Sequence, residues 1–164
     1  MPLAVAALPD YLPKLWAWSP EFHRVIGCRF ASIDLDVVIT GDLGPLLETP
    51  DRLRIWNHAA GELYNSSLFA LQPGAHNDVW TRMTAERLAA AKRRAAYWTG
   101  DQSWISHVIG PGAATFSEAD GVIQYRPKLH RDAQPAGMLA AFMCGPYEPF
   151  AEGRVSEWVR LAYQ

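Results

Sequence analysis

The chain has 164 residues, 49% hydrophobic and 20% charged, which fits a single globular domain over 1–164 and excludes a disordered polypeptide. A formal net charge of -2 gives no electrostatic footprint for nucleic acid, and no apolar run approaches the roughly 20 residues that span a bilayer. Two distant cysteines, Cys28 and Cys144, suggest neither a disulfide framework nor a zinc site, so a reducing, cytoplasmic setting is the expectation.

The start, "MPLAVAALPDYLPKLW", lacks a basic leader region and reads as part of the fold. Residues 10–23 read as a broken helical segment interrupted by Pro13 and Pro20. Residues 29–39, rich in Val and Ile, read as one buried strand. "GDLGPLLETP" reads as a turn and a short helix stopped near Pro50. Residues 53–58 and 62–74 are strands, the second ended by Pro73 and Gly74. A helix is predicted from Asn77 to about Ala96, capped by Asn77 or Asp78 and closed by Lys92, Arg93 and Arg94, where cations suit the dipole. "GDQSWISHVIG" (100–110) is a short helix between two glycines, with Asp101 in its first turn. Residues 121–126 and 137–145 are strands, and 153–164 an amphipathic helix. Strands alternating with helices predict an α/β class, a mixed, mainly parallel sheet flanked by helices. Seven scattered tryptophans are expected as core or cleft walls.

Within 29–39, Asp34 and Asp36 are the anomaly. Residues two apart on a strand share a face, so both carboxylates point one way while Ile33, Leu35, Val37 and Ile39 face the core. Carboxylates about 7 Å apart at Cα repel unless a cation lies between them. Oxygen ligands suit Mg²⁺ or Mn²⁺, which keep positions open for water and phosphate oxygens. The pair therefore suits a diphosphate-bearing substrate. The same spacing occurs in solvated loops and in phosphohydrolases with a nucleophilic Asp. The latter usually continue Gly-Thr, where this chain has Val37 and Val38.

The blocks "IDLDVVITGDLGPLL", "YNSSLFAL", "GDQSWIS" and "CGPYEP" follow one another in that order. Together they resemble the catalytic half of nucleotide-diphospho-sugar transferases of the GT-A fold. The nearest in kind are glycogenin-like and galactosyltransferase-like retaining enzymes with their bacterial and phage relatives. The resemblance covers about residues 28–150. It implies a glycosyltransferase with Mn²⁺ or Mg²⁺, a nucleotide-sugar donor and a glycan or other hydroxyl acceptor. It implies that Asp36 holds the metal and that Asp34 holds the metal or the ribose. It implies that Asn65, Ser66 and Ser67 form a turn beside the donor sugar, with Ser67 at the family's Gly. Asp101 and Gln102 match the catalytic pair that contacts the transferred sugar near its reacting carbon.

"CGPYEPF" matches the C-terminal "His-Phe-x-Gly-x-x-Lys-Pro-Trp" motif with departures. Phe142 or Cys144 stands at the metal-binding His, and Glu148 at the phosphate-binding Lys. A carboxylate there repels a diphosphate. Only 33 residues precede Asp34, so the expectation is a form lacking the N-terminal nucleotide-binding strands.

His130, among Arg126, Lys128 and Arg131, is a substrate-binding candidate that could restore positive charge; a solvated loop is the plainer reading. His23 reads as structural, His107 as a helix-surface or packed residue, and His58 and His76 as turn neighbours. Trp98 and Trp104 flank Asp101 as sugar-site walls or as core. Glu118 and Asp120 are possible bases with no tie to the other motifs. The alternatives to a glycosyltransferase are a non-catalytic or truncated relative that binds a partner or glycan, with homo-oligomerisation through an exposed apolar sheet edge, and, third, a metal-dependent phosphohydrolase.

Overall fold

The structure, a computed structural model, describes residues 12–57, 64–94, 100–125, 133–142 and 156–162. Ser19 caps the first helix, α1 (Pro20–Ile26), by accepting from the Phe22 N–H at 3.0 Å. Pro20 therefore opens this helix instead of interrupting it, because a first-turn N–H needs no intrahelical partner. A 3-10 helix, Leu12–Trp18, precedes it.

The predicted strand 29–39 is two strands. β1 (Phe30–Ile33) and β2 (Val37–Ile39) are separated by a turn at Asp34, Leu35 and Asp36. They belong to different sheets. β1 joins β3 (Leu53–Asn57), β4 (Tyr64–Leu71) and β5 (Ala114–Phe116) in the order β1-β4-β3-β5. β2 joins β6 (Val122–Gln124) and β7 (Ala140–Phe142) in the order β2-β7-β6. Leu35 is 99% exposed, so the expected alternation of core-facing residues stops at Ile33.

The mixed α/β class holds. The balance of pairings differs from the expectation: β1–β4, β3–β4 and β2–β7 are antiparallel, while β3–β5 and β6–β7 are parallel. Only β3 and β4 are joined by a short connection, which closes an antiparallel pair; the other pairings join strands distant in sequence. Among the described residues β1 is also an edge strand.

The layers follow from period-two alternation. Phe69 and Leu71 of β4 face Leu15, Trp18, Val79, Met83, Trp104 and Ile105. Leu68 and Ala70 face the other way, against Val37, Phe116, Val122 and Ala140. All eight residues of β4 are buried, so neither face of the strand meets solvent, and its polar Asn65, Ser66 and Ser67 are buried with the rest. In the second sheet Val38, Ile123 and Ala141 face Val159 of α6 (Glu157–Ala162). The order is helices, first sheet, second sheet, helix.

The predicted helix 77–96 is broken into α3 (Asp78–Thr81) and α4 (Ala85–Arg94). Met83, between them, is fully buried in the first core, and Thr84 Oγ1 accepts from the Arg87 N–H at 3.2 Å. Burying Met83 and capping anew outweigh continuity of a propensity-favoured helix. Asn77 makes no capping hydrogen bond. α2 (Gly44–Leu47) and α5 (Asp101–Ile109) match their predictions, the latter ending at Gly110.

Candidate functional site

In the 3-10 helix, side chains three apart eclipse one another. Leu12, Leu15 and Trp18 fall on one face and are all buried. Lys14 is off that face and leaves the core. Its Nζ pairs with Asp34 Oδ1 and lies 3.4 Å from Ser66 Oγ and 3.8 Å from Asp101 Oδ2. Ser66 Oγ donates to Asp101 Oδ2 at 2.6 Å. Four groups thus meet from the 3-10 helix, the end of β1, the start of β4 and the first turn of α5.

Each element delivers its residue for a local reason. Asp34 N–H donates to the Ser67 carbonyl at 2.9 Å, which prolongs the β1–β4 pairing up to the turn. The β3–β4 ladder pairs Ile55 with Phe69 and then Trp56 with Asn65, so Ser66, Ser67 and Leu68 fall outside it. Such bulges re-aim side chains, and here Ser66 is directed to α5. Asn65 Oδ1 accepts from the Ser67 N–H at 2.8 Å and steadies the bulge. Gly100, at φ +72°, turns the chain into α5 through a conformation that L side chains avoid. Asp101 then lies at the helix N-terminus, where a carboxylate is favoured. Tyr64 fastens the same strand to the far end of α5, donating to the Gly110 carbonyl at 2.8 Å.

Burial raises the Asp101 carboxyl above the usual carboxylate range; the Lys14 ammonium and the Ser66 hydroxyl oppose this, while the Asp34 charge adds to it. Asp36 is also raised, first by partial desolvation and then by Asp34, although the residue lies on the exposed side of the turn. Gln102 carries an amide oxygen that is buried without a hydrogen-bond partner among the described residues.

Of the predicted site residues, Ser66 and Asp101 are brought into direct contact, Asp34 joins them only through Lys14, and Gln102 follows Asp101 on α5. Asn65 and Ser67 are buried in β4 itself; the expected turn is a bulged strand. Ser67 needs no glycine, because His76 is the one non-glycine residue with positive φ among those described. Asp36 stands outside the contact cluster. His130, Cys144, Glu148, Trp98 and His58 lie outside the described residues, as does the Phe142 side chain. Trp104 is core, donating from Nε1 to the Val79 carbonyl at 2.8 Å. Asp120 is engaged by Arg54 at 2.7 Å and by Ser117, so it is held in a structural pair. Lys14 was not singled out in the sequence; its signal there was a lone charge between two apolar residues that prove buried.

Among the described residues no three His, Cys, Asp or Glu side chains converge. Asp36 is exposed at the turn and Asp34 pairs with Lys14; both are oxygen donors of the kind a hard cation takes.

No family model and no curated protein sequence matches the chain. Solved structures do. The chain is similar over 93% of its length to the glycosyltransferase GlyE of Streptococcus pneumoniae TIGR4, at 14% identity and a TM-score of 0.64, and spans 42% of that chain. Over 99% of its length it is similar to the galactosyltransferase LgtC in complex with donor and acceptor sugar analogs, at 14% identity and a TM-score of 0.66, spanning 68% of that chain. An active-site mutant of LgtC matches over 83% of this chain, at 12% identity and a TM-score of 0.55. At these identities the likeness defines the fold, a GT-A-like glycosyltransferase fold. The chain spans less than half the length of GlyE.

Proposed function

We propose that the chain, by itself or as part of a longer protein, takes part in transfer of a sugar from a nucleotide-diphospho-sugar to an acceptor hydroxyl. The observation that supports this most is the meeting of Lys14, Asp34, Ser66 and Asp101 where β1, β4 and α5 begin or end. Ligands in open α/β folds bind at such strand ends. Breaking a glycosidic bond builds positive charge at the anomeric carbon, and the Asp101 carboxylate is a fixed charge suited to offset it. The unsatisfied Gln102 amide oxygen is an acceptor for a sugar hydroxyl. Lys14 sets a positive charge between Asp34 and Asp101 and so offsets their mutual repulsion. Asp36, with Asp34 beside it, would hold Mn²⁺ or Mg²⁺, which when bound supplies Lewis-acid stabilisation of the leaving diphosphate.

Calorimetric titration of UDP-sugars with and without Mn²⁺, followed by assay of sugar release and transfer, tests this reading. Metal-dependent binding that Asp101→Asn leaves intact while turnover falls supports it. Absence of binding for every nucleotide-sugar offered sinks it.

A second reading, an oligomerising relative without turnover, has its own support. β1 lies at a sheet edge among the described residues, and Trp16, Val25 and Leu35 nearby are 41%, 81% and 99% exposed. Unpaired edges and exposed apolar side chains favour association. Sedimentation analysis decides it: a single monomeric species from micromolar to millimolar concentration rules it out.

A further inference from the structure

We infer that Ser66 is a positioning residue for Asp101: its hydroxyl relays the Lys14 ammonium to Asp101 Oδ2 and so holds the carboxylate in one orientation. This rests on the transferase reading for its purpose, though not for its geometry.

Ser66 is 1% exposed, so its hydroxyl has no water to turn to. A serine hydroxyl can accept and donate at once. Lys14 Nζ can only donate, and at 3.4 Å it points its proton at Ser66 Oγ. The hydroxyl proton is then left for Asp101 Oδ2, at 2.6 Å. This is the short distance of a charge-assisted bond. The direction of the relay is fixed by chemistry, from ammonium to hydroxyl to carboxylate. Lys14 is itself 3.8 Å from the same Oδ2, so one carboxylate oxygen is held from two sides.

The bulge in β4 is what makes this possible. In a regular ladder, Ser66 would be committed by its neighbour Asn65's pairing with Trp56 to the β3 register. Released from it, the residue bridges β4 to the first turn of α5, at the opposite end of the helix from the Tyr64 bond to Gly110. The charged groups that act on Asp101 come from Lys14 on the 3-10 helix and Asp34 beyond β1; α3 and α4, which also pack on α5, bring none among the described residues. Hydrogen bonding to a charged form favours that form. Removal of the Ser66 hydroxyl therefore leaves burial of Asp101 less opposed, and its proton is held to higher pH.

The test compares wild type, Ser66→Ala and Ser66→Thr. The ionisation midpoint of Asp101 is followed by carboxyl-carbon NMR in the ligand-free chain, and turnover of UDP-sugars with Mn²⁺ is followed against pH. The expected result for Ser66→Ala is a midpoint raised by about one pH unit. The acid limb of turnover moves by the same amount, and kcat falls tenfold or more with KM little changed. Ser66→Thr, which keeps the hydroxyl, restores the midpoint and the limb. A midpoint unmoved by Ser66→Ala overturns the inference, as does a shift that Ser66→Thr reproduces in full. If wild type turns over no donor at any pH, the transferase reading fails, and the NMR midpoints still decide the role of Ser66.

Discussion

The indole N–H of Trp104 donates to the Val79 carbonyl at 2.8 Å, with both residues buried. This one bond ties α5, which carries Asp101 and Gln102, to α3 across the first core. The site is therefore held from behind by a helix pair as well as from the side by Tyr64.

Trp104→Phe keeps most of the apolar volume and removes the donor. It leaves the Val79 carbonyl short of its partner in the core, which costs about 1–3 kcal/mol. Urea unfolding followed by circular dichroism should show that loss as a lower midpoint with an unchanged slope. A variant as stable as wild type would mean that the bond is replaced by another.

Gly121 is irreplaceable for a different reason. It sits at φ +75°, and a Cβ there would come within 2.5 Å of the Gly137 carbonyl oxygen. Its own carbonyl accepts from Leu139 and Ala140, which starts the β6–β7 pairing. The backbone conformation alone costs an L residue about 1–2 kcal/mol, and the collision adds to it. Gly121→Ala should therefore destabilise the second sheet by about 2 kcal/mol or more, seen as loss of amide protection at Ala140 and Ala141 before the first sheet opens.

His23 makes stability depend on pH. It is buried, its Nδ1 accepts from the Gly74 N–H at 2.9 Å, and burial holds its pKa below the ordinary 6.5. Below that value the unfolded chain takes up a proton that the folded one resists, so stability falls as pH drops from about 6.5 towards the folded pKa. His76, also lowered by burial, adds a slope of the same sign. His23→Asn offers an acceptor without a titrating group. It should flatten, though not abolish, the decline in melting temperature between pH 7 and about 5.

Asp36 and Asp34 should separate in their effects. Asp36→Asn removes an exposed carboxylate whose charge Asp34 already repels, so thermal stability should be unchanged or slightly higher. Mn²⁺-dependent nucleotide-sugar binding should weaken at least tenfold, about 1.4 kcal/mol. Asp34→Asn instead removes the nearer carboxylate partner of the Lys14 ammonium and leaves only Asp101 at 3.8 Å, so it should lower the melting temperature as well. Titration calorimetry and differential scanning on the two variants check the contrast. Equal loss of stability in both would contradict it.

Local chemistry made much of this legible before any coordinates. Gly100, Asp101 and Gly110 marked α5 by a turn residue, a first-turn acid and a terminating glycine, and the helix runs between them. The strand predicted over 62–74 is β4, Tyr64–Leu71, ending just before Pro73 and Gly74. By contrast, β5 is three residues of modest propensity, Ala114–Phe116, and exists because β3 offers it a parallel edge. The predicted helix 77–96 read propensity correctly and missed that Met83 belongs in the core.

The carboxylates show the same division. Spacing in the sequence determined that Asp34 and Asp36 lie together and that Asp101 opens a helix, since both depend on residues a few positions apart. Only the tertiary structure decided that Asp34 and Asp36 have different surroundings, because the strand that should have held them on one face breaks between two sheets. It alone decided that Lys14 is the partner of Asp34 and Asp101. A lysine 20 residues from Asp34 and 87 from Asp101 meets both by the register of a 3-10 helix and a bulge in β4. That juxtaposition is set by how layers pack, and no local pattern encodes it.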